Sequence, residues 1–103
     1  MQFSIIIPAR NEQESIKYCV ETLLKSLKDN EFEIVVINDF STDQTESILK
    51  KCSEIYNNVK YFNNISKGLG RAINLGIDKA EGKYICIIMS DLSDDVEDIK
   101  KYF

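Results

Sequence analysis

Three acidic residues, Asp91, Asp94 and Asp95, follow closely after a run of apolar residues at positions 84–89. An apolar run without alternating polarity is typical of a strand buried on both faces of a parallel sheet, and such sheets bind ligands at the carboxyl ends of their strands. Two carboxylates about 4 Å apart repel each other by roughly 4 kcal/mol at an effective dielectric constant of about 20. A divalent cation would relieve this repulsion, so these acids are candidate metal ligands.

The same acids also fit a purely structural role. Ser93, Asp94 and Asp95 could cap and begin a final helix at residues 94–103, where acids are favoured by the positive end of the helix dipole. Asp91 precedes the capping residue, so the ligand-binding interpretation applies to Asp91 more than to the other two acids.

A further candidate, Asp39, lies directly after a second apolar stretch at residues 33–38. An ionised carboxylate only accepts hydrogen bonds, so Asp39 suits the ring N–H of uracil or the N–H and amino group of guanine. A role in a turn or a helix cap is the alternative interpretation.

The loop at residues 67–71 contains Gly68 and Gly70 between two cations. Lys67 and Arg71 could neutralise a phosphate, or they could be ordinary solvated surface residues. The loop lacks the third glycine of a dinucleotide-binding fingerprint and the Gly-Lys-Ser/Thr ending of a P-loop. The sequence therefore argues against both of those sites.

Hydrophobic periodicity predicts the elements that would position these candidates. Strands are expected at residues 3–7, 33–38, 59–62 and 84–89, with helices between them at residues 13–28, 41–56 and 72–80. Asn11 with Glu14, and Ser41 with Gln44, match capping boxes at the first two helices. This alternation predicts an α/β fold with a mostly parallel sheet in strand order 3-2-1-4, and a ligand crevice between the first and fourth strands.

The length and composition of the chain exclude several classes of function. The chain has 103 residues, a net charge of −4 and no histidine, so it is one domain at most and excludes Ser-His or Cys-His catalysis within itself. Its basic residues form no cluster, which argues against a nucleic-acid partner. Cys19, Cys52 and Cys86 are far apart among apolar neighbours, as expected for reduced, buried thiols.

The two ends of the sequence carry further expectations. No apolar run approaches the length of a membrane span, and the first strand begins within three residues of the N-terminus. We therefore expect a cytoplasmic chain without a signal peptide. Because the sequence stops where a fourth helix would form, we expect a fragment of a longer protein.

Four segments carry a resemblance to a known family. IIIPARNE at residues 5–12, VVINDFSTD at 35–43, KGLGRA at 67–72 and MSDLSDDVEDI at 89–99 are similar, in order and spacing, to the motifs of family 2 inverting glycosyltransferases. The last segment most resembles the dolichol-phosphate and polyprenol-phosphate sugar transferase branch. The resemblance implies a Rossmann-like GT-A fold, of which residues 1–103 are the N-terminal part that binds a nucleotide-diphosphate sugar.

The resemblance also implies roles for individual residues. Pro8, Ala9 and Glu12 would border the nucleoside, and Asp39 would read the base. Asp91 would be the second acid of the family's Asp-x-Asp motif, facing the ribose and a diphosphate held by Mg²⁺ or Mn²⁺. The expected nucleotide-binding residues are Pro8, Ala9, Arg10, Glu12, Asp39, Lys67, Gly68, Arg71, Ser90 and Asp91, and the expected metal ligands are Asp91 and Asp94.

Four positions depart from the family pattern. The family usually has tyrosine at Arg10, an acid at Asn38, glycine at Phe40 and an acid at Met89. Each of these changes is expected to affect the choice of nucleotide or, at Met89, the binding of metal.

The resemblance places the catalytic base and the acceptor site in the C-terminal half, beyond Phe103. A lipid phosphate or a glycan is the expected acceptor, and the full-length protein is expected at the cytoplasmic face of the membrane. The fragment alone would bind nucleotide weakly and transfer no sugar. The alternative is a non-catalytic nucleotide-binding or interaction module with the same fold. In either case an exposed sheet edge could allow self-association.

Overall fold

The computed structural model of the chain describes residues 2–90. Strands and helices alternate along this part of the chain, as the periodicity predicts. The strands are β1 Phe3–Ala9, β2 Phe32–Asn38, β3 Val59–Asn63 and β4 Tyr84–Ile87, and the helices are α1 Ile16–Ser26, α2 Thr45–Ile55 and α3 Leu69–Lys79. The helix predicted at residues 94–103 lies outside the described residues.

The four strands form one sheet in the order β3-β2-β1-β4, and every neighbouring pair is parallel. The predicted α/β class and strand order are therefore confirmed. The order reverses between β1 and β4, so loops that follow these two strands leave the sheet on either side of a crevice.

The two central strands, β1 and β2, form the core. Their side chains alternate between two apolar clusters, one on each face of the sheet. Ile5, Ile7, Ile34 and Val36 share a cluster with buried residues of α1 and α2. On the other face, Val35 and Ile37 pack with Ala72 of α3. A Cβ added at Gly76 of α3 would clash with the Ile6 side chain, so a residue without a side chain allows α3 to lie close to the sheet.

The edge strand β4 differs from its prediction. It ends at Ile87 rather than at residue 89, and Tyr84, Ile85 and Ile87 are between 43% and 52% exposed. The expectation of a strand buried on both faces is therefore wrong for the described residues. β4 pairs with β1 along one side, and within residues 2–90 no strand pairs with its other side.

The prediction of buried cysteines is confirmed for Cys19 and Cys52 and is wrong for Cys86. Cys19 and Cys52 are buried, while Cys86 on β4 is partly exposed. Burial and the nearby charge of Glu21 raise the pKa of the Cys52 thiol, which keeps it protonated at neutral pH.

Among the described residues, no helix has the length and apolar character needed to cross a membrane.

A buried carboxylate, Glu33, ties the strands together at the amino edge of the sheet. It is fully buried, and its Oε2 accepts hydrogen bonds of 2.6 Å from the Ser4 hydroxyl and from the Glu81 backbone N–H. The Lys60 ammonium lies 2.7 Å from Oε1. Burial raises the pKa of the Glu33 carboxyl, but the bonds from Glu81, Lys60 and Ser4 outweigh burial and hold that pKa below its usual value.

The Glu33→Gln variant tests this connection. Because the pKa of Glu33 is lower in the folded than in the unfolded chain, its stabilising effect is full above the ordinary value of 4.5 and is lost as pH falls through the folded pKa. We expect the variant to lose about 2 kcal/mol of stability at pH 7, and to show a shallower loss below pH 4.5 than the parent. Urea denaturation at a series of pH values measures both effects.

The exposed Glu14→Gln variant is the matched control, and its stability at pH 7 should equal that of the parent chain. Identical pH profiles for the parent and Glu33→Gln would contradict the role of Glu33.

Candidate functional site

A cleft of about 240 Å³ opens at the carboxyl edge of the sheet. The end of β1 and its following loop form one part, and segments after the other three strands form the rest. Its lining residues are Pro8, Ala9, Arg10, Glu12, Asp39, Gly68, Leu69 and Met89. Six of the ten predicted nucleotide-binding residues thus lie together in space, at the crevice that the strand order predicts.

Asp39 is the buried polar group of this cleft. It lies directly after β2, is 6% exposed, and its backbone N–H donates to the Ala9 carbonyl at 2.8 Å. Its Oδ1 accepts hydrogen bonds from the Asn64 side-chain amide at 3.0 Å and from the Gly68 backbone N–H at 3.1 Å. The same Gly68 N–H lies 3.3 Å from Oδ2. The carboxylate therefore fixes the loop between β3 and α3 against the end of β2.

Gly68 has a backbone conformation that suits glycine. Its φ is 133°, a value that side chains disfavour. Its carbonyl accepts a hydrogen bond of 2.9 Å from the Ala72 N–H in the first turn of α3. Gly68 therefore joins Asp39 to the start of the helix.

The loops that follow β1 and β2 are joined by reciprocal hydrogen bonds. The Asn11 N–H donates to the Ser41 hydroxyl at 3.0 Å, and the Asn11 side-chain oxygen accepts from the Thr42 N–H at 2.7 Å. The Glu12 N–H donates to the Thr45 hydroxyl at 2.9 Å. These bonds hold the Arg10 and Glu12 segment against the segment that follows Asp39.

These loop contacts correct both predicted capping boxes. α1 begins at Ile16 after Ser15, and α2 begins at Thr45 after Gln44, with no side-chain cap bond at either start. Asn11 and Ser41 bond to each other's loop, so neither is available as a helix cap. The predicted caps failed because partners about thirty residues away compete for the same groups.

Asp43 completes the contact between the two loops. Its carboxylate accepts the Thr45 N–H at 2.9 Å and the Gln13 N–H at 3.3 Å. Burial raises the pKa of the Asp43 carboxyl, but the bonds from Thr45 and Gln13 hold it below its usual value. Asp43 is therefore ionised at neutral pH.

Four predicted site residues lie outside the cleft lining. Lys67 and Arg71 are exposed, and Arg71 borders a separate surface groove with Ile65 and Ser66. Ser90 is buried, at 2% exposure. Asp91 falls outside the described residues, as does the second predicted metal ligand, Asp94.

Three residues that sequence reasoning did not assign to the site contribute to it. Leu69 and Met89 line the cleft, and Asn64 holds the Asp39 carboxylate. Leu69 and Met89 lie within the predicted segments 67–72 and 89–99, so these segments were an available signal. The role of Asn64 has no local signal, because its partner lies 25 residues away.

The predicted metal ligands, Asp91 and Asp94, follow Ser90 and lie outside the described residues. Within residues 2–90, no group of three or more Cys, Asp or Glu side chains could hold a metal ion. The carboxylates that line the cleft are Glu12 and Asp39, and Asp39 already accepts bonds from Asn64 and Gly68. The described residues therefore do not form a metal site by themselves.

Comparisons with known proteins agree with this geometry. The family model described as glycosyl transferase family 2 matches residues 4–103. The poly(ribitol-phosphate) beta-N-acetylglucosaminyltransferase TarS of Staphylococcus aureus is 36% identical over 93 residues, which cover 88% of this chain and 16% of TarS. An undecaprenyl-phosphate 4-deoxy-4-formamido-L-arabinose transferase of Proteus mirabilis is 29% identical over 102 residues, covering 95% of this chain and 31% of that protein.

A solved structure shares the fold. The crystal structure of S. aureus TarS 1–349 in complex with UDP matches with a TM-score of 0.78 and 29% identity, covering 99% of this chain and 32% of the TarS chain. The chain thus spans less than a third of the length of either curated relative.

Phe40, next to Asp39, provides a test of the backbone at this site. Its φ is 58°, a left-handed conformation that costs a residue with a Cβ about 1–2 kcal/mol. We expect Phe40→Gly to be more stable than Phe40→Ala by about 1 kcal/mol, because both variants remove the ring and glycine alone relieves the strain. Urea denaturation of the two variants measures the difference. An alanine variant that equals or exceeds the glycine variant in stability would contradict this conformation.

Proposed function

The chain belongs to glycosyl transferase family 2, and we propose that it supplies the donor-binding part of an enzyme that transfers a sugar from a nucleotide diphosphate to an acceptor. The donor would be a GDP- or UDP-sugar, bound in the cleft at the carboxyl edge of the sheet. The observation that carries this proposal is that segments following all four strands line one cleft, which also contains the buried Asp39 carboxylate.

The charges of the cleft support a nucleotide. Asp39 is an acceptor in the buried wall, which matches the N–H groups of a nucleobase. Arg10 is exposed where it lines the same cleft, and its guanidinium is always protonated and forms paired hydrogen bonds with phosphate oxygens. An acceptor for the base and a cation for the diphosphate therefore belong to one cleft. The name of the TarS–UDP complex supports the same ligand class.

The proposed cofactor is Mg²⁺ or Mn²⁺, which Asp91 and Asp94 would hold. A divalent cation bound to a diphosphate stabilises the negative charge of the leaving group. Arg10 would add a fixed positive charge at the cleft.

The acceptor is proposed at the level of its class. The names of the two curated relatives refer to a poly(ribitol-phosphate) and to undecaprenyl phosphate, so a phosphate-bearing glycan polymer or a polyprenyl phosphate is the proposed acceptor. The catalytic base and the acceptor site would come from a longer protein, and the 103-residue chain would bind donor without transferring sugar. Sugar transfer by the purified chain would contradict this division of roles.

A second candidate function is a non-catalytic nucleotide-binding module of the same fold. The observation that favours it is Met89, which is 41% exposed and lines the cleft at a position where the family usually has an acid. A thioether is a poor ligand for the hard cations Mg²⁺ and Mn²⁺. Nucleotide binding that is unchanged by either cation would favour this module over the transferase.

Titration calorimetry with UDP and GDP, each with and without Mn²⁺, tests the donor site. We expect the parent chain to bind at least one of the two nucleotides. Asp39→Asn should weaken that binding by about tenfold or more, because a hydrogen bond to a charged acceptor is replaced by one to a neutral amide.

Asp29→Asn, in the exposed turn between α1 and β2, is the matched control and should bind as the parent does. Thermal denaturation of each variant checks that it is folded. Absence of binding by the parent chain, or equal binding by Asp39→Asn, would contradict the proposed site.

A further inference from the structure

The arrangement of donors around Asp39 bears on the choice of nucleobase. Resting on the proposed function, we infer that this cleft selects uridine diphosphates over guanosine diphosphates, and that Asn64 is the positioning residue for this selection. The protein itself already occupies part of the acceptor capacity of the Asp39 carboxylate.

The Gly68 N–H is shared between the two oxygens of the Asp39 carboxylate, 3.1 Å from Oδ1 and 3.3 Å from Oδ2. It therefore lies on the side of the carboxylate that both oxygens face. Guanine presents two adjacent donors, its ring N–H and its amino group, which pair best with both oxygens of a carboxylate from that same side. Guanine would therefore have to displace the Gly68 N–H. This backbone group lies at the start of α3 in a φ of 133°, so a displaced N–H would lose its acceptor and unsettle the first turn of the helix.

Asn64 occupies the remaining capacity of Oδ1. Its side-chain amide donates to Oδ1 at 3.0 Å, and its residue is 8% exposed. The direction of the amide is fixed, because its oxygen accepts the Ile65 N–H at 3.0 Å and an ionised carboxylate cannot donate. The Asn64 backbone N–H also donates to the Asn38 carbonyl at 2.9 Å. Oδ1 therefore has two donors from the protein.

Oδ2 receives only the longer part of the shared Gly68 bond among the described residues. An ionised carboxylate oxygen accepts two hydrogen bonds, so Oδ2 retains room for one further donor. Uracil offers a single ring N–H, whereas guanine offers a pair. The number of donors on uracil thus matches the acceptor capacity that Asp39 has left.

Calorimetric titration of the 103-residue chain with UDP, GDP and 3-methyluridine diphosphate tests this inference. We expect the affinity for UDP to exceed the affinity for GDP by about tenfold or more, a ratio typical of one hydrogen bond to a charged group. The methylated nucleotide lacks the ring N–H and should bind about tenfold more weakly than UDP. These measurements need no variant, so they stand even if a substitution prevents folding.

Asn64→Ala tests the positioning role. Removal of its amide frees one acceptor position on Oδ1 and releases the loop that holds Gly68, so the UDP-to-GDP affinity ratio should fall by about tenfold. The matched control is Asn74→Ala, an exposed asparagine on α3, which should keep the parent ratio. Thermal denaturation checks that both variants are folded, and Asn64→Ser replaces Asn64→Ala if the latter is not.

The outcomes separate this inference from the proposed function. Binding of GDP as tightly as UDP, or of 3-methyluridine diphosphate as tightly as UDP, would overturn the inference and leave the donor site intact. An unchanged affinity ratio in the Asn64 variant would overturn the positioning role of Asn64. Absence of binding by all three nucleotides would contradict the proposed function itself.

Discussion

The buried Asp39 carboxylate is the interaction on which the carboxyl edge of the molecule depends. A buried anion must receive hydrogen bonds, because leaving it without donors costs more free energy than most single contacts supply. Here the donors come from Asn64 and Gly68, so the loop between β3 and α3 has to lie against the end of β2. The Asp39 N–H joins the end of β1 through the Ala9 carbonyl. Asp39 thus sets the relative positions of three segments that line the cleft, those after β1, β2 and β3.

The buried carboxylates at the two ends of β2, Glu33 and Asp39, are stabilised by different partners. Glu33, at the amino edge, is partly neutralised by the Lys60 ammonium, so its charge is used within the fold. Asp39, at the carboxyl edge, receives hydrogen bonds from neutral groups among the described residues. Oδ2 of Asp39 therefore retains an acceptor position for a donor on a ligand. This difference distinguishes the amino edge of the sheet from the carboxyl edge, where we propose that the donor binds.

The sequence predicts the fold well because hydrophobic periodicity and strand–helix alternation are local properties. It also predicts the edge at which Pro8, Glu12 and Asp39 meet, since parallel strands place their carboxyl ends on one side. The capping boxes at Asn11 and Ser41 were wrong because these side chains bond across two loops instead. The part played by Asn64 was missed for the same reason. The exposure of β4 was missed because an apolar run has the same pattern on an edge strand as on a central one.

Backbone conformation makes one departure from the family pattern energetically costly. Phe40 has a φ of 58° at a position where the family usually has glycine, so the conformation explains the family's preference. Asn11 has a φ of 52°, and asparagine tolerates this region better than most residues. Both residues lie in the loops that follow β1 and β2, so left-handed backbone occurs on each side of the hydrogen-bonded contact between these loops.

Amide chemical-shift mapping with UDP tests whether the nucleotide binds at the carboxyl edge of the sheet, because it reports on every described segment at once. We expect the largest changes in ¹H–¹⁵N spectra at Arg10, Asp39 and Gly68, around the cleft at the carboxyl edge. Lys60 and Glu81, at the opposite edge, should show small shifts. Shifts that are absent, or that centre on the Glu33 edge of the sheet, would show that UDP does not bind in this cleft.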